Sequence, residues 1–242
     1  MPNVTVMPLH HDRSAETGPH AHETGQLFVV RAGTLSVAAD HVRWLVPAGC
    51  MGWVPPGCAH EARYPSVVEG VSAYVEFAWS SRNMPRTLKV VTLTPLVNES
   101  LVLALDEALP PARRELYWHV LADALTHLPA MAAGVRMPQN RRLLRVAQTL
   151  LAAPDDDAGL DVWALRADMS RSTFIRHFQA ETGLGFGEWR QQLRVWHALG
   201  LLAEGRSVTE VALAVGYRSP SAFIQVFRRL HGVTPSAFSG RE

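Results

Sequence analysis

The sequence predicts a multi-domain α+β protein in which a β-rich N-terminal part, a helical connector and an all-α C-terminal part follow one another. Up to about residue 92, short apolar or alternating runs are cut by Gly and Pro every 7 to 12 residues, as in an antiparallel sandwich or barrel. From about 95 to 133 apolar residues recur with helical spacing, and from 138 onward every segment is helical. We therefore expect domains at 1–92, 93–135 and 136–242.

Composition places the chain among globular proteins. Of its 242 residues, 48% are hydrophobic and 19% are charged, which excludes a disordered chain. The N-terminus lacks the basic-then-apolar layout of a signal peptide, and no apolar run approaches the roughly 18 residues that a membrane span needs. We therefore expect a cytoplasmic protein without a membrane partner. Its two cysteines, Cys50 and Cys58, are too few for a disulfide scaffold, and we expect buried, reduced thiols rather than redox sensors.

Charge is distributed unevenly along the chain. Residues 1–135 hold 9 Lys and Arg against 12 Asp and Glu, a net charge of −3, whereas residues 136–242 hold 14 against 10, a net charge of +4. All 14 cations of the second part are arginines. The asymmetry indicates a nucleic-acid partner for the C-terminal part, although an ordinary arginine-rich surface would give the same numbers.

An internal repeat is the most informative feature of the sequence. At an offset of 49 residues, SRSTFIRHFQAETGLGFGEW from residue 170 aligns with SPSAFIQVFRRLHGVTPSAF from residue 219, and six positions are identical. The identical pairs are Ser170 and Ser219, Ser172 and Ser221, Phe174 and Phe223, Ile175 and Ile224, Phe178 and Phe227, and Gly183 and Gly232. Upstream the offset is 48, so Arg218 is an insertion in the second copy. Each copy is predicted to be a helix, a tight turn and a second helix.

The chemistry of both copies fits a helix-turn-helix unit. Ala164 and Ala212 are small residues at the point where a first helix must let a second one cross closely, and Ser170 and Ser219 are good N-caps for that second helix. The paired phenylalanines turn one face inward. The opposite face carries hydrogen-bonding side chains of the kind that enter the major groove: Arg171, Ser172 and Arg176 in the first copy, and Ser221 and Gln225, beside Pro220, in the second.

Residues 138–240 resemble the DNA-binding domain of the AraC/XylS transcriptional regulators, in which a long helix, here FGEWRQQLRVWHALGLLAEG, joins two helix-turn-helix units. The segment GRSVTEVALAVGYRSPSAFIQVFRRLHGVTPSAF matches the family's strongest signature almost throughout. In the first unit, Asp168 replaces the usual turn glycine and Gly185-Phe186 replaces the usual Ser-Pro. Because Asp can occupy a left-handed turn position at some cost, we expect the turn to form.

The resemblance implies a double-stranded DNA operator and the residues that meet it. The base-facing positions would be Ser172, Ile175 and Arg176 in the first recognition helix and Pro220, Ser221 and Gln225 in the second, where Ser219 lies at the helix start. The candidates for phosphate contacts are Arg171, Arg218, Arg228 and Arg229. It further implies a homodimer, with helices 95–133 as connector or dimer surface, a small-molecule or metal effector, and RNA polymerase as a further partner.

Residues 1–92 resemble the cupin barrel that is fused to many members of this family. The first cupin motif, H-x-H-x3-E-x6-G, is matched by His20, His22, Gln26 and Gly33, with Gln in place of Glu. The second, G-x5-P-x-G-x2-H, is matched by Gly49, Pro55, Gly57 and His60. Cupins hold a divalent metal with three such histidines and the carboxylate. The resemblance therefore implies Zn, Ni or Fe at His20, His22 and His60, with Gln26 as a weak or absent fourth ligand.

Two interpretations of the three histidines stay open at this stage. They bind a metal, or they hydrogen-bond within the barrel or to an organic effector. A neutral Gln26 removes negative charge and a catalytic base, which favours sensing over catalysis. The aromatic and apolar strand residues Phe28, Val30, Trp44, Trp53 and Tyr74 either line the pocket or belong to the plain core.

The alternative function is a metal-dependent cupin enzyme, such as a dioxygenase or isomerase, with a helical appendage. That alternative explains the histidines but leaves the 49-residue duplication unexplained. We therefore expect a protein that is not an enzyme, namely a sequence-specific DNA-binding transcriptional regulator whose cupin-like domain senses a small molecule or a metal.

Overall fold

A computed structural model describes residues 1–131 and 134–240. The chain divides into two compact units, Met1–Asp40 with Trp44–Ala133, and His41–Arg43 with Gly134–Glu242. None of the helices within the described residues is long and apolar enough to cross a membrane.

The N-terminal part is rich in strands, as predicted. They are β1 Val4–His11, β2 Glu16–His20, β3 Gly25–Ala32, β4 Thr34–Ala39, β5 Val42–Pro47, β6 Cys50–Val54, β7 His60–Arg63, β8 Val68–Val75 and β9 Lys89–Thr92. Three helices belong to the same unit: α1 Phe77–Asn83, α2 Pro95–Leu105 and α3 Pro111–His127. The prolines that open α2 and α3 lack an N–H that the first helical turn would leave unpaired, so both helices start where the sequence predicts.

The strands form two separate antiparallel sheets. One has the strand order β1, β8, β3, β6, β9, and the other contains β5, β4, β7 and β2 in that order. Among the described strands the ladders do not join into a single closed sheet, so the expected barrel takes the form of a cupin-like pair of sheets.

Strand β3 shows how the sequence divides the N-terminal unit between a core and a cavity. Because successive side chains of a strand point to opposite faces, Leu27 and Val29 enter one layer while Gln26 and Phe28 enter another. Leu27 and Val29 join the core cluster that includes Trp118 of α3. Helices α2 and α3 thus pack on one face of the first sheet, and the other face of the sheet lines a cavity. The predicted boundaries at 92 and 135 stay predictions.

The C-terminal part begins with a short strand, β10 Gly134–Arg136, and is otherwise helical in its described residues. Its helices are α4 Arg141–Ala152, α5 Leu160–Arg166, α6 Arg171–Thr182, α7 Phe186–Ala203, α8 Val208–Ala214, α9 Pro220–His231 and α10 Pro235–Phe238. The repeat predicted from the sequence corresponds to α5 with α6 and to α8 with α9, and the long α7 lies between the two copies.

Both copies are built by the same local chemistry. The Ser170 hydroxyl accepts a hydrogen bond from the Thr173 amide at 3.3 Å and caps α6, and the Ser219 hydroxyl caps α9 in the same way. The inward faces pack aromatic rings, with Phe174 and Phe178 in the first copy and Phe223 and Phe227 in the second, all fully buried. The opposite faces of α6 and α9 are left to solvent.

Candidate functional site

The pairing of two strands brings distant histidines of the N-terminal unit together. Strands β2 and β7 are antiparallel, and their register places His20 directly opposite His60. His22 lies beyond the end of β2, in the loop before β3, so it does not share a strand with His20. The Gly57 amide donates to the His22 carbonyl at 2.9 Å and holds this loop. One ring nitrogen of each histidine lies within 4.8 Å of the others.

Backbone carbonyls orient all three imidazole rings. The Nδ1 atom of His20 lies 2.8 Å from the Gly18 carbonyl, that of His22 lies 2.6 Å from the Thr24 carbonyl, and that of His60 lies 2.9 Å from the Cys58 carbonyl. A carbonyl only accepts, so each Nδ1 carries the proton, and in the neutral ring each Nε2 presents a lone pair. Metal-binding histidines are held in this way by their second nitrogen.

The Gln26 amide is oriented towards the same histidines. Its Nε2 donates to Ser72 Oγ at 2.8 Å and to the Tyr74 hydroxyl at 3.2 Å. Its Oε1 is thereby left 3.4 Å from Nε2 of His22. With the Nδ1 proton fixed, these two facing atoms are both acceptors, and a proton or a cation shared with them relieves their repulsion.

The three histidines differ in exposure. His20 is exposed, His22 is half-buried and His60 is buried. Burial lowers the pKa of His60 below its usual 6.5; the bond to the Cys58 carbonyl opposes this shift, and the neighbouring His20 and His22 add to it. His60 is therefore neutral at physiological pH, which is the form that binds a metal.

A cavity of about 270 Å³ opens beside the histidines. His20, His60 and Gln26 line it, together with Phe28 and Tyr74, two of the five strand residues that the sequence assigned either to the pocket or to the core. The other three members of that set, Val30, Trp44 and Trp53, are not part of its wall. Trp53 belongs instead to the core beneath the helices, where its Nε1 donates to the Pro85 carbonyl at 2.8 Å. Sequence reasoning missed Ser72, whose place in the wall follows from the register that sets it opposite Phe28.

Both cysteines are at least half-buried. Cys50 is buried, with Sγ 3.8 Å from Sδ of Met131, and burial raises the pKa of its thiol to about 12. Cys58 is half-buried rather than buried; its pKa is raised by partial burial and by Asp40. Both groups are thus protonated at neutral pH, and neither is a reactive thiolate.

The solvent face of α6 carries the base-reading candidates of the first copy. Ser172, Ile175 and Arg176 are exposed and line one shallow depression with Gln179 and Ala180. The exposed fraction of Ile175 is 38%. Gln179 was missed by the sequence analysis. At the 49-residue offset it aligns with Arg228, one of the phosphate candidates, and this alignment would have identified it.

The solvent face of α9 carries the candidates of the second copy. Ser221 and Gln225 are exposed, Pro220 is half-buried at the first helical position, and the Ser219 hydroxyl is engaged as the helix cap. Of the phosphate candidates, Arg218, Arg228 and Arg229 are exposed, and Arg229 Nη2 donates to Gln191 Oε1 at 2.6 Å. Arg171 of the first copy differs, because its Nη1 donates to both carboxylate oxygens of Asp161 at 2.7 Å.

Two arginines of α7 bind the loop that precedes α5, and one of them also binds the turn of the second copy; sequence reasoning missed both. Arg190 donates to the Ala158 carbonyl at 2.9 Å and to the Asp156 carbonyl at 2.5 Å. Arg194 donates to the Pro154 carbonyl and to the Gly216 carbonyl, each at 2.9 Å. All of these acceptors are backbone carbonyls, so the side-chain pattern of the sequence did not indicate them.

Both halves of the chain match described families. Residues 9–107 match the AraC-like ligand binding domain, and residues 163–241 match the helix-turn-helix domain. The chain is 30% identical over 240 residues to the HTH-type transcriptional regulator NimR of Escherichia coli strain K12, which covers 96% of this chain and 86% of NimR. It is 39% identical over 103 residues to the HTH-type transcriptional regulator RipA of Corynebacterium glutamicum, or 43% of this chain and 31% of RipA.

Two solved structures can be placed beside these relatives. ToxT from Vibrio cholerae aligns over 98% of both chains with 10% identity and a TM-score of 0.41. The DNA-binding domain of AdpA, solved in complex with a target DNA, aligns over 40% of this chain and 87% of that domain with 37% identity and a TM-score of 0.39. From the two domain matches and the nearly full-length likeness to NimR, the chain belongs to the AraC family of DNA-binding transcriptional regulators.

Proposed function

We propose that this regulator reads DNA with α6 and α9 and that its N-terminal unit responds to a divalent metal ion held by His20, His22 and His60. The observation that carries the metal assignment is the convergence of three imidazoles whose Nδ1 atoms are all bonded to carbonyls. A bare organic pocket does not need three rings fixed in the same tautomer, whereas a metal site does.

The donor set fits a borderline metal. Imidazole nitrogen suits Zn, Ni and Fe, and Gln26 Oε1 faces the same point as a neutral fourth donor. One ring nitrogen of each histidine lies within 4.8 Å of the others, so a single ion could contact all three.

The site is suited to sensing rather than to catalysis. A bound ion would act as a Lewis acid, but Gln26 stands where a carboxylate would be needed as a base, and the cavity wall contains neither Asp nor Glu among the described residues. The chain's own residues therefore bind and orient a ligand. We propose that occupancy changes DNA affinity and that the protein acts in the cytoplasm as a transcription factor in contact with RNA polymerase.

We further propose a homodimer formed through α2 and α3. Large apolar side chains stand out from these helices, with exposed fractions of 68% for Leu96 and 64% for Leu116. Sedimentation of Leu96→Glu, with Leu213→Glu in the other unit as a matched control, tests this assembly.

Metal analysis of the purified full chain tests the metal site. We expect close to one Zn, Ni or Fe per chain, a strong reduction in His20→Ala, and no change in the matched control His10→Ala, which removes another exposed histidine of the same unit. A chelator should change the affinity for operator DNA of the wild type and leave that of His20→Ala unchanged. A full-length protein without bound metal after equilibration with each ion would contradict the proposal.

A further inference from the structure

The cavity wall combines apolar and polar side chains. The apolar ones include Phe28, Leu35, Val37 and Val54. The polar ones supply imidazole, amide and hydroxyl groups, among them Thr17, Tyr64, Ser72 and Tyr74. Its volume of about 270 Å³ lies just below the roughly 300–1,000 Å³ of pockets for drug-sized ligands, so the occupant is compact.

A bound divalent metal ion would leave a net positive charge beside the cavity. The four donors, three imidazoles and one amide, are all neutral, so the ion would keep both of its charges. The described residues of the cavity wall include no Asp, Glu, Lys or Arg. A partly buried cation without a counter-charge is unfavourable, so the site favours an anionic ligand over a neutral one.

Hydrogen bonding favours the same conclusion. Ser72 Oγ and the Tyr74 hydroxyl each accept a hydrogen bond from Gln26 Nε2. Both hydroxyl protons are thereby turned away from Gln26 and can be donated to an acceptor. Two hydroxyl donors beside a metal ion form a binding site for a carboxylate or a similar acidic group.

We infer that the cavity binds a small organic carboxylate whose acidic group completes the coordination of the metal and accepts hydrogen bonds from Ser72 and Tyr74, while its apolar body lies against Phe28, Leu35 and Val37. This inference rests on the proposed metal site and names the class of effector. An inorganic anion would satisfy the metal but would make no use of the apolar side chains of the cavity wall.

The experiment uses the full chain loaded with Co²⁺ as a spectroscopic probe, titrated with benzoate, its neutral analogue benzamide, and acetate. Benzoate should alter the visible Co²⁺ absorption and bind about tenfold or more tightly than benzamide, because a charge-assisted contact is lost in the amide. Acetate should alter the same absorption but bind more weakly than benzoate, because it lacks the apolar body. Metal-free protein should bind benzoate at least about tenfold more weakly.

Matched serine variants separate the cavity from general effects on folding. Ser72→Ala should keep Co²⁺ binding and weaken benzoate about tenfold. Ser36→Ala, which removes another buried serine hydroxyl outside the cavity wall, should leave both unchanged. Bound Co²⁺ with equal affinities for benzoate and benzamide would overturn this inference and leave the metal site standing. Failure of Co²⁺ to bind would overturn both.

Discussion

The two helix-turn-helix copies share one plan and differ at the turn. Residue 168 of the first copy is Asp with φ of 52°, and the aligned residue 216 of the second copy is Gly with φ of 83°. In both copies an arginine donates to the turn carbonyl: Arg142 to Asp168 at 2.8 Å, and Arg194 to Gly216 at 2.9 Å. The difference lies in what approaches the turn from outside.

A Cβ atom is tolerated in one turn and excluded from the other. A Cβ built on Gly216 would lie 2.7 Å from the Cα of Asp155 and 2.8 Å from Nη2 of Arg194. Asp168 is exposed, and its carboxylate lies 3.2 Å from Arg142. The second turn is packed against the acidic loop that precedes α5, whereas the first is open to solvent. The loss of glycine from the first copy therefore has a structural explanation.

The largest expected difference is between two single alanine substitutions, one at each turn position. Gly216→Ala adds left-handed strain and a backbone collision, and we expect a loss of about 3 kcal/mol in the free energy of unfolding. Asp168→Ala removes only an exposed ion pair from a turn that already accepts a side chain, and we expect about 1 kcal/mol or less. Urea denaturation of the full chain measures both, and equal losses would show that the two turns are equivalent.

The second prediction compares the two turn arginines. Arg194 is half-buried and donates to two carbonyls at 2.9 Å, so Arg194→Ala leaves acceptors without partners and should cost about 2 kcal/mol. Arg142→Ala removes exposed contacts and should cost under about 1 kcal/mol. Thermal unfolding checks the order. A larger loss for Arg142→Ala would be inconsistent with the packing described for the second turn.

The third prediction concerns acid. Burial lowers the pKa of His231 at the end of α9 from 6.5 to about 4. Protonation of His231 is therefore less favourable in the folded protein than in the unfolded one. The neutral ring costs no stability above about pH 6.5, and the free energy of unfolding falls as the pH drops from 6.5 towards 4. The aligned residue of the first copy is Thr182, which does not titrate.

His231→Gln should reduce the loss of stability between pH 7 and pH 4.5 by about 1–2 kcal/mol. Parallel denaturation curves of variant and wild type at the two pH values measure the difference. His197 of α7 is half-buried and also has its pKa lowered to about 4, and it contributes a similar loss that the variant retains. An unchanged pH dependence in His231→Gln would show that this ring is accessible to protons in the folded protein.

The two copies also differ in whether their arginines form ion pairs with acidic side chains. All three of Arg171, Arg218 and Arg228 are exposed, but Arg171 is paired with the Asp161 carboxylate, and no such ion pair is found for Arg218 or Arg228 among the described residues. A phosphate contact by Arg171 would compete with this ion pair. The second copy thus presents more of its positive charge for phosphate contacts than the first.

Much of this arrangement could be predicted from the sequence because it is encoded in local patterns. The repeat located both helix-turn-helix units and their serine caps, and the two cupin motifs located the three histidines. The left-handed turn at Asp168 was expected and is found. The family assignment was likewise predicted from these segments and is confirmed by the matches over both halves.

Other features depend on register and packing, which periodicity does not show. The placement of His20 opposite His60 follows from the ladder between β2 and β7, and the position of His22 follows from the loop that joins β2 to β3. Trp53 and Phe28 occupy opposite faces of the same sheet, and the sequence left both open between the pocket and the core. Arg190 and Arg194 of α7 donate to backbone carbonyls, and such contacts cannot be recognised from the pattern of side chains in the sequence.

Selection of binding sequences from random DNA by the full chain tests the central claim, that both copies read bases. Two conserved blocks with centres about one helical turn, roughly 10 bp, apart are predicted. Arg176→Ala should lose preference within one block and Gln225→Ala within the other, while Gln148→Ala, an exposed residue of α4, should keep both. A single conserved block, or two blocks that survive unchanged in both variants, would contradict the claim.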